Sequence, residues 1–150
     1  MTTPTPRVGA RLLLIDADDR VLLIHERYDD AGSTHWLTPG GGVEGDESLP
    51  VAAAREAYEE TGIAVQLPVD APSVLVTQRL WSWRHLHFDQ TDHFFLARVP
   101  SGLDVVPQGL TEVESQTLLG HRWWALDELR ATDEVILPGE LADVLATLVE

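Results

Sequence analysis

The sequence predicts a domain of mixed α and β structure, α/β or α+β, on three observations. Residues 7–15 (RVGARLLLI) and 21–26 (VLLIHE) are apolar runs of strand length on either side of the polar turn Asp16-Ala17-Asp18-Asp19, the pattern of a hairpin. A helical segment carrying Arg55, Glu56, Glu59 and Glu60 stops at Gly62, which stands where a helix C-terminus favours glycine. Residues 138–150 place Leu141, Val144, Leu145 and Leu148 on one stripe, which predicts a closing amphipathic helix.

Taken in order, residues 1–6 read as a short flexible tail and residues 7–150 as one domain, without repeat or linker. Residues 27–34 form a polar loop that leaves Arg27 and Tyr28 available to a ligand; an ordinary surface role fits Arg27 equally well. Trp36 anchors the glycine run Gly40-Gly41-Gly42, whose missing side chains let the backbone come close to a metal or phosphate. After Gly62, short apolar pieces are broken by Pro68 and Pro72. Residues 74–83 alternate as a strand, with Thr77, Arg79, Trp81 and Trp83 on one face. Those aromatic and guanidinium planes suit stacking on a nucleobase, although tryptophans more often cover a core or a dimer contact. His85 and His87 read as loop residues without the companions of a zinc site. Residues 92–99 predict a buried strand in which Phe94 and Phe95 are structural. Residues 109–120 read as a polar loop bearing Glu112 and Glu114 ahead of the strand HRWW, and residues 127–130 as a helical turn.

Composition narrows the function. Ten basic against twenty-five acidic residues give a net charge of −15, which disfavours nucleic acid or an anionic membrane surface as partner. The absence of cysteine removes disulfides, thiolate metal sites and thiol nucleophiles. No apolar run reaches bilayer length, and the N-terminus lacks a signal-peptide core, so a cytoplasmic protein is expected.

The acidic helix carries the chemistry. With Glu56 as origin, Glu60 falls about 40° to one side and Glu59 about 60° to the other, in a sector shared with Ala52 and Ala53. Val51, Ala54, Ala57 and Tyr58 fall opposite and are expected to face the core. Like charges at this spacing repel. Either the face is simply solvated, or it holds a hard divalent cation such as Mg²⁺ or Mn²⁺.

The segment resembles the signature of the Nudix hydrolases. Gly41 is followed after five residues by Glu47, then after seven by Arg55-Glu56-Ala57-Tyr58-Glu59-Glu60-Thr61-Gly62-Ile63, matching every fixed position. Glu44 and the Pro39-Gly40 entry fit as well, and a looser likeness runs through Trp36-Leu37-Thr38 and through residues 121–129. The resemblance implies an α/β/α sandwich whose mixed sheet is flanked by the motif helix and the C-terminal helix. It also implies Mg²⁺- or Mn²⁺-dependent hydrolysis of a nucleoside diphosphate linked to another moiety. Arg55, Glu56, Glu59 and Glu60 would be catalytic. Glu56, Glu59, Glu60 and a carbonyl near Gly41 would hold metal, with Glu47 either structural or a further ligand. A late-loop glutamate, Glu112 or Glu114, would add another ligand or the base. Arg27, Tyr28, Arg79, Trp81 and Trp83 are the candidates for a small phosphorylated substrate, and a homodimer is common among relatives. Where diadenosine-polyphosphate types carry a tyrosine stand Leu80 and Trp81, and where ADP-ribose types carry a proline stand Gln78 and Arg79, so no subclass is selected. A nucleotide-sensing domain without turnover, or a protein-interaction module, are the alternatives.

Overall fold

The polar turn between the first two apolar runs is held by one buried acid. Asp16 Oδ1 accepts from the backbone N–H groups of Asp18 (3.0 Å) and Arg20 (2.9 Å), and Asp16 Oδ2 pairs with Arg20 at 3.0 Å. A short side chain bonding its own backbone a few residues on is what makes aspartate a turn former. The computed structural model describes residues 3–149. In chain order these give β1 (Thr5–Ile15), β2 (Val21–Arg27), β3 (Thr34–Leu37), β4 (Gly40–Gly42), α1 (Leu49–Thr61), β5 (Leu75–Trp83) and β6 (Leu86–Arg98). There follow α2 (Glu112–Thr117), β7 (Leu118–Trp124), α3 (Leu126–Ala131), β8 (Ile136–Leu137) and α4 (Leu141–Val149).

The strands join in one mixed sheet of order β5-β6-β1-β2-β3-β8, with β4 paired to β1 and β7 to β2. β1 runs parallel to β6 over its whole length, from Thr5 opposite Phe88 to Ile15 opposite Arg98. Because successive side chains in a strand point to opposite faces, the unbroken run Leu12-Leu13-Leu14-Ile15 feeds two cores at once. Leu12, Leu14, Leu22 and Phe95 pack against Ala52, Ala53 and Ala57 of α1. Leu13, Ile15, Leu23 and Phe94 pack on the other side with Trp124, Leu129 of α3 and Leu141 and Leu145 of α4. The expected sandwich, a mixed sheet between the motif helix and the C-terminal helix, is the observed architecture.

Several expectations are corrected. Thr5 and Pro6 already pair with Phe88 and Asp89 in β1, so the tail does not extend to residue 6; Met1 and Thr2 lie outside the described residues. β6 begins at Leu86, not at residue 92, and takes in His87, whose Nδ1 lies 2.7 Å from Ser82 Oγ. Only Arg84 and His85 form the turn before it, with Arg84 at φ 56°. The segment expected as a polar loop folds into α2, capped by Thr111 and Glu114 in reciprocal hydrogen bonds (3.1 and 2.9 Å). The last helix starts at Leu141, three residues later than expected, and Glu150 is outside the described residues.

The largest correction concerns the faces of α1. Ala52, Ala53 and Ala57 are fully buried, while Tyr58 is 44% exposed, so Val51, Ala54 and Tyr58 do not form the inward face. Small alanines let the helix axis lie close to the sheet, which leaves no room for tyrosine. Glu56 and Glu60 share the sector of Ala52 and Ala53, so they are carried inward toward β4, while Glu59 at the edge of that sector stays one-third exposed. No helix among the described residues is long and apolar enough to cross a membrane.

Candidate active site

α1 begins after Ser48 with proline in its first turn and ends at Gly62 (φ 73°), whose N–H donates to Tyr58 O at 2.8 Å. Its middle turn carries Arg55, the hub of the site. Arg55 Nη2 donates to Glu47 Oε1 (2.7 Å) and to Gly42 O (2.9 Å), and Nε to Glu47 Oε2 (3.0 Å). Nη1 reaches Glu56 Oε1 at 3.0 Å and Glu59 at 3.3 Å. One guanidinium thus ties the glycine strand, the loop after it and the helix into a single unit, as its five fixed donors permit. The Arg55 hydrogen bonds hold Glu47 below the usual carboxyl range.

Beyond this hub the acids are under-neutralised. Glu56, Glu60 and Glu114 each bring a carboxylate oxygen into a group whose members all lie within 4.8 Å of one another. Burial pushes Glu60 well above the usual range, opposed by the Gly40 N–H donating to its Oε1 at 2.8 Å and by the nearby Arg11. Burial also raises Glu56, against the pull of Arg55 and with the charges of Glu59 and Glu114 adding to it. Gly41 is what lets the helix come this close, since a Cβ there would stand 2.6 Å from Glu56 Cδ. Three hard oxygen donors, crowded and short of positive charge, fit a divalent cation of the Mg²⁺ or Mn²⁺ kind.

Glu114 arrives because the chain after β6 docks on the end of α1. The N–H groups of Gln108 (2.8 Å) and Gly109 (3.0 Å) donate to Glu59 O, and that of Val106 donates to Thr61 O (2.8 Å). These carbonyls belong to the last helical turn and have no partner within the helix. The docking leads directly into α2. Of the two glutamates proposed from the late segment, Glu114 therefore joins the acids, while Glu112 is exposed at the other side of α2. Glu59 is one-third exposed, is held by Arg55, and does not share the close group.

On the opposite side of β4 lies a cavity of 240 Å³, whose lining includes Arg11, Thr38, Arg79, Asp92, Pro138 and Glu140. Arg11, only 8% exposed, donates to Thr38 O at 2.8 Å and pairs with Asp92 at 3.2 Å.

A family model described as NUDIX domain matches residues 5–144. The chain belongs to the Nudix family. Over 53 residues it is 47% identical to diphosphoinositol polyphosphate phosphohydrolase 2 of Rattus norvegicus, covering 35% of this chain and 27% of that protein. Over 62 residues it is 40% identical to the RNA pyrophosphohydrolase of Novosphingobium aromaticivorans, covering 41% and 37%. These matches span only about a third of the relatives' length. A MutT NUDIX hydrolase from Burkholderia pseudomallei superposes with a TM-score of 0.65 at 29% identity, over 92% of this chain and 95% of that one. The dihydroneopterin triphosphate pyrophosphohydrolase of E. coli shares the fold, with a TM-score of 0.66 at 18% identity over 99% and 98%.

The Nudix segment thus sits where the acids gather, and the substrate candidates from the sequence are more dispersed. Arg79 reaches the cavity. Trp81 stands beside it on β5, with its ring stacked on Phe88 (4.5 Å) and its Nε1 bonded to Gln90 (2.8 Å). Trp83 lies under Arg27 and Arg84, at 5.8 and 5.1 Å. Arg27 also bonds Asp29 O at 2.6 Å, and Tyr28 is stacked on His35 at 4.8 Å. The rings meant for a nucleobase already have partners from the chain. Arg11 and Asp92 were missed, although a signal existed. Each is a charged residue on the same alternation as buried neighbours, Leu13 and Ile15 for one and Phe94 for the other.

Proposed function

We propose that this Nudix protein is a divalent-metal-dependent hydrolase that breaks the pyrophosphate linkage of a nucleoside diphosphate joined to another group. The observation that carries the reading is the convergence of Glu56, Glu60 and Glu114 beside the glycine strand, with burial raising the proton affinity of Glu56 and Glu60. The relatives' names, a diphosphoinositol polyphosphate phosphohydrolase and an RNA pyrophosphohydrolase, agree in the kind of bond attacked. A small substrate suits a chain of net charge −15 better than a long polyanion.

Glu56 and Glu60 would hold the cation with Glu59 and the Gly41 carbonyl, and Glu114 lies within reach of the same place. Bound there, a cation of this kind offsets the negative charge of the diphosphate and makes water a better nucleophile. Arg55 keeps Glu56 and Glu59 aimed and fixes Glu47 as a strut between loop and helix. Glu114, with no guanidinium partner among the described residues, is the carboxylate we assign to take the proton as the water oxygen bonds to phosphorus. The P–O bond of the bridge breaks, and the leaving phosphate keeps the electron pair. The cavity beyond β4 would receive the rest of the substrate. No covalent nucleophile is needed, in keeping with a chain that lacks cysteine. No observation favours a sensing domain without turnover, which would gain stability by shedding these acids.

The test is a panel of nucleoside triphosphates, nucleotide sugars, ADP-ribose and dinucleoside polyphosphates with Mg²⁺ or Mn²⁺. Phosphate-ester products that disappear with EDTA are expected. A panel inert with both metals would overturn the assignment.

A further inference from the structure

All positive charge in the chain comes from ten arginines, and three of them crowd one face of the β5–β6–β1 portion of the sheet. Arg79 on β5 and Arg7 on β1 both stand opposite Gln90 of β6, which lies between them, so the three form a single cross-strand row. Arg11, four residues along β1, points to the same face. In the next row Asp92 faces Gly9, where a Cβ would stand 2.1 Å from Asp92 Oδ1.

Asp92 is the acid among these cations, and it is already engaged. It pairs with Arg11 at 3.2 Å and accepts from Gln90 Nε2 at 2.7 Å, leaving Arg79 at 3.9 Å. Arg7 has no ion-pair partner among the described residues and only lies over Trp81 and Phe88, at 5.8 Å from each. Burial, and after it the neighbouring Arg11, lowers the proton affinity of Arg79, against the opposing charges of Asp92 and Glu26. Three guanidinium groups thus share Asp92 on this face, Arg11 and Arg79 lining the cavity together with Glu140 and Arg7 standing exposed along the same row, in a protein that is otherwise strongly acidic.

The groove and the acid cluster are the two sides of one strand. Gly41 looks toward Glu56, whereas a Cβ on Gly40 would stand 2.6 Å from Arg11 Cγ and one on Gly42 would stand 4.0 Å from Arg7 Nη2. We infer that this groove binds a second phosphoryl group of the substrate through Arg7 and Arg79, so that the preferred substrate carries a phosphate beyond the bridge that is cut. Calling the ligand a substrate group rests on the proposed hydrolase activity; the anion site itself does not. Guanidinium forks match phosphate oxygens two at a time, which a point charge does not do.

The test uses inorganic tripolyphosphate in EDTA, with tryptophan fluorescence and calorimetry as readouts, so that metal at the acid cluster plays no part. Saturable binding is expected, weakened about tenfold or more in Arg79→Met and in Arg7→Met, with citrate binding at least about tenfold more weakly than tripolyphosphate. Arg7 is exposed, so Arg7→Met stays folded even where Arg79→Met does not. No binding by the wild type, affinity unchanged in the folded Arg7→Met protein, or citrate binding as tightly would each overturn the inference. Binding in EDTA with a panel inert to both metals would overturn the hydrolase reading and leave the groove standing; turnover without binding would do the reverse.

Discussion

Arg55 grips Glu47 side-on, with Nη2 2.7 Å from one carboxylate oxygen and Nε 3.0 Å from the other. Both side chains are largely shielded, at 22% and 14% exposure, and the same guanidinium bonds the Gly42 carbonyl. Lysine cannot reproduce a fork of this shape. Arg55→Lys is expected to lower stability by about 1.5–3 kcal/mol, the range for hydrogen bonds to charged groups, and to reduce turnover by loosening the glycine strand against the helix. Thermal denaturation and steady-state kinetics on the same preparation check this; a variant matching wild type in both would remove Arg55 from its role as tie.

Adjacent glycines should fail differently. A Cβ at Gly41 meets the end of the Glu56 side chain, which can swing away, whereas one at Gly40 meets Ala10 O at 2.5 Å and Arg11 Cα at 2.7 Å, which cannot. Gly41→Ala should stay folded yet lose roughly 100-fold in turnover through misplacement of Glu56. Gly40→Ala should be destabilised by about 1–3 kcal/mol as an overpacked site. Melting temperatures in that order, with activity in the folded Gly41→Ala protein near zero, are the expected result.

The buried acids set a pH dependence for the metal-free protein. Glu60 and Glu56 have raised folded-state values, so the folded chain binds protons there more tightly than the unfolded chain does. Their destabilising effect is therefore fully present above those raised values and is relieved as the pH falls through them. Glu47 runs the other way: held low by Arg55, it stabilises above the ordinary carboxyl range and loses that contribution as the pH falls through its lowered value. In EDTA the melting temperature should rise on mild acidification and fall only in stronger acid. Glu60→Gln keeps an acceptor for the Gly40 N–H and should melt higher than wild type at neutral pH, by roughly 2–4 °C for each kcal/mol relieved, while losing turnover. Added Mg²⁺ should raise the wild-type value and leave the variant nearly unmoved.

The two glutamates of α2 give a paired control. Glu114→Gln retains the reciprocal cap with Thr111 but removes a charge from the acid cluster, and should weaken metal affinity or turnover by roughly 10–100-fold. Glu112→Gln, on the exposed side, should change neither. Metal titration of both variants separates the positions, and equal effects would remove Glu114 from the site.

Much of this was readable before folding. The end of α1, the two-stranded opening and the apolar stripe of α4 follow from local periodicity and from Gly62. What escaped depends on packing between distant segments. Ala52 and Ala53 fall in the acids' sector, and a helical wheel gives angles but not which side meets a sheet; hydrophobicity favours Tyr58, whereas volume decides for alanine. Glu114 could not be told from Glu112, since its position depends on backbone donors at residues 106, 108 and 109 finding the free carbonyls of α1. The hairpin at Arg84-His85 carries no glycine or asparagine, so β6 was cut short at its start. Arg11 was hidden inside an apolar strand whose alternation gives the right face but no hint of Asp92.

β4 is a wall with no side chains of its own, a ribbon of bare main chain between two chambers. Residues other than Arg11, whose charge reaches Glu60, can be exchanged on the arginine-lined side without placing a new atom among the carboxylates, provided the glycines stay as they are. On the proposed reading, that gives protein engineers a rule for redirecting such a scaffold: vary β1, β5 and the segment ahead of α4, and leave the glycine strand and its acids untouched.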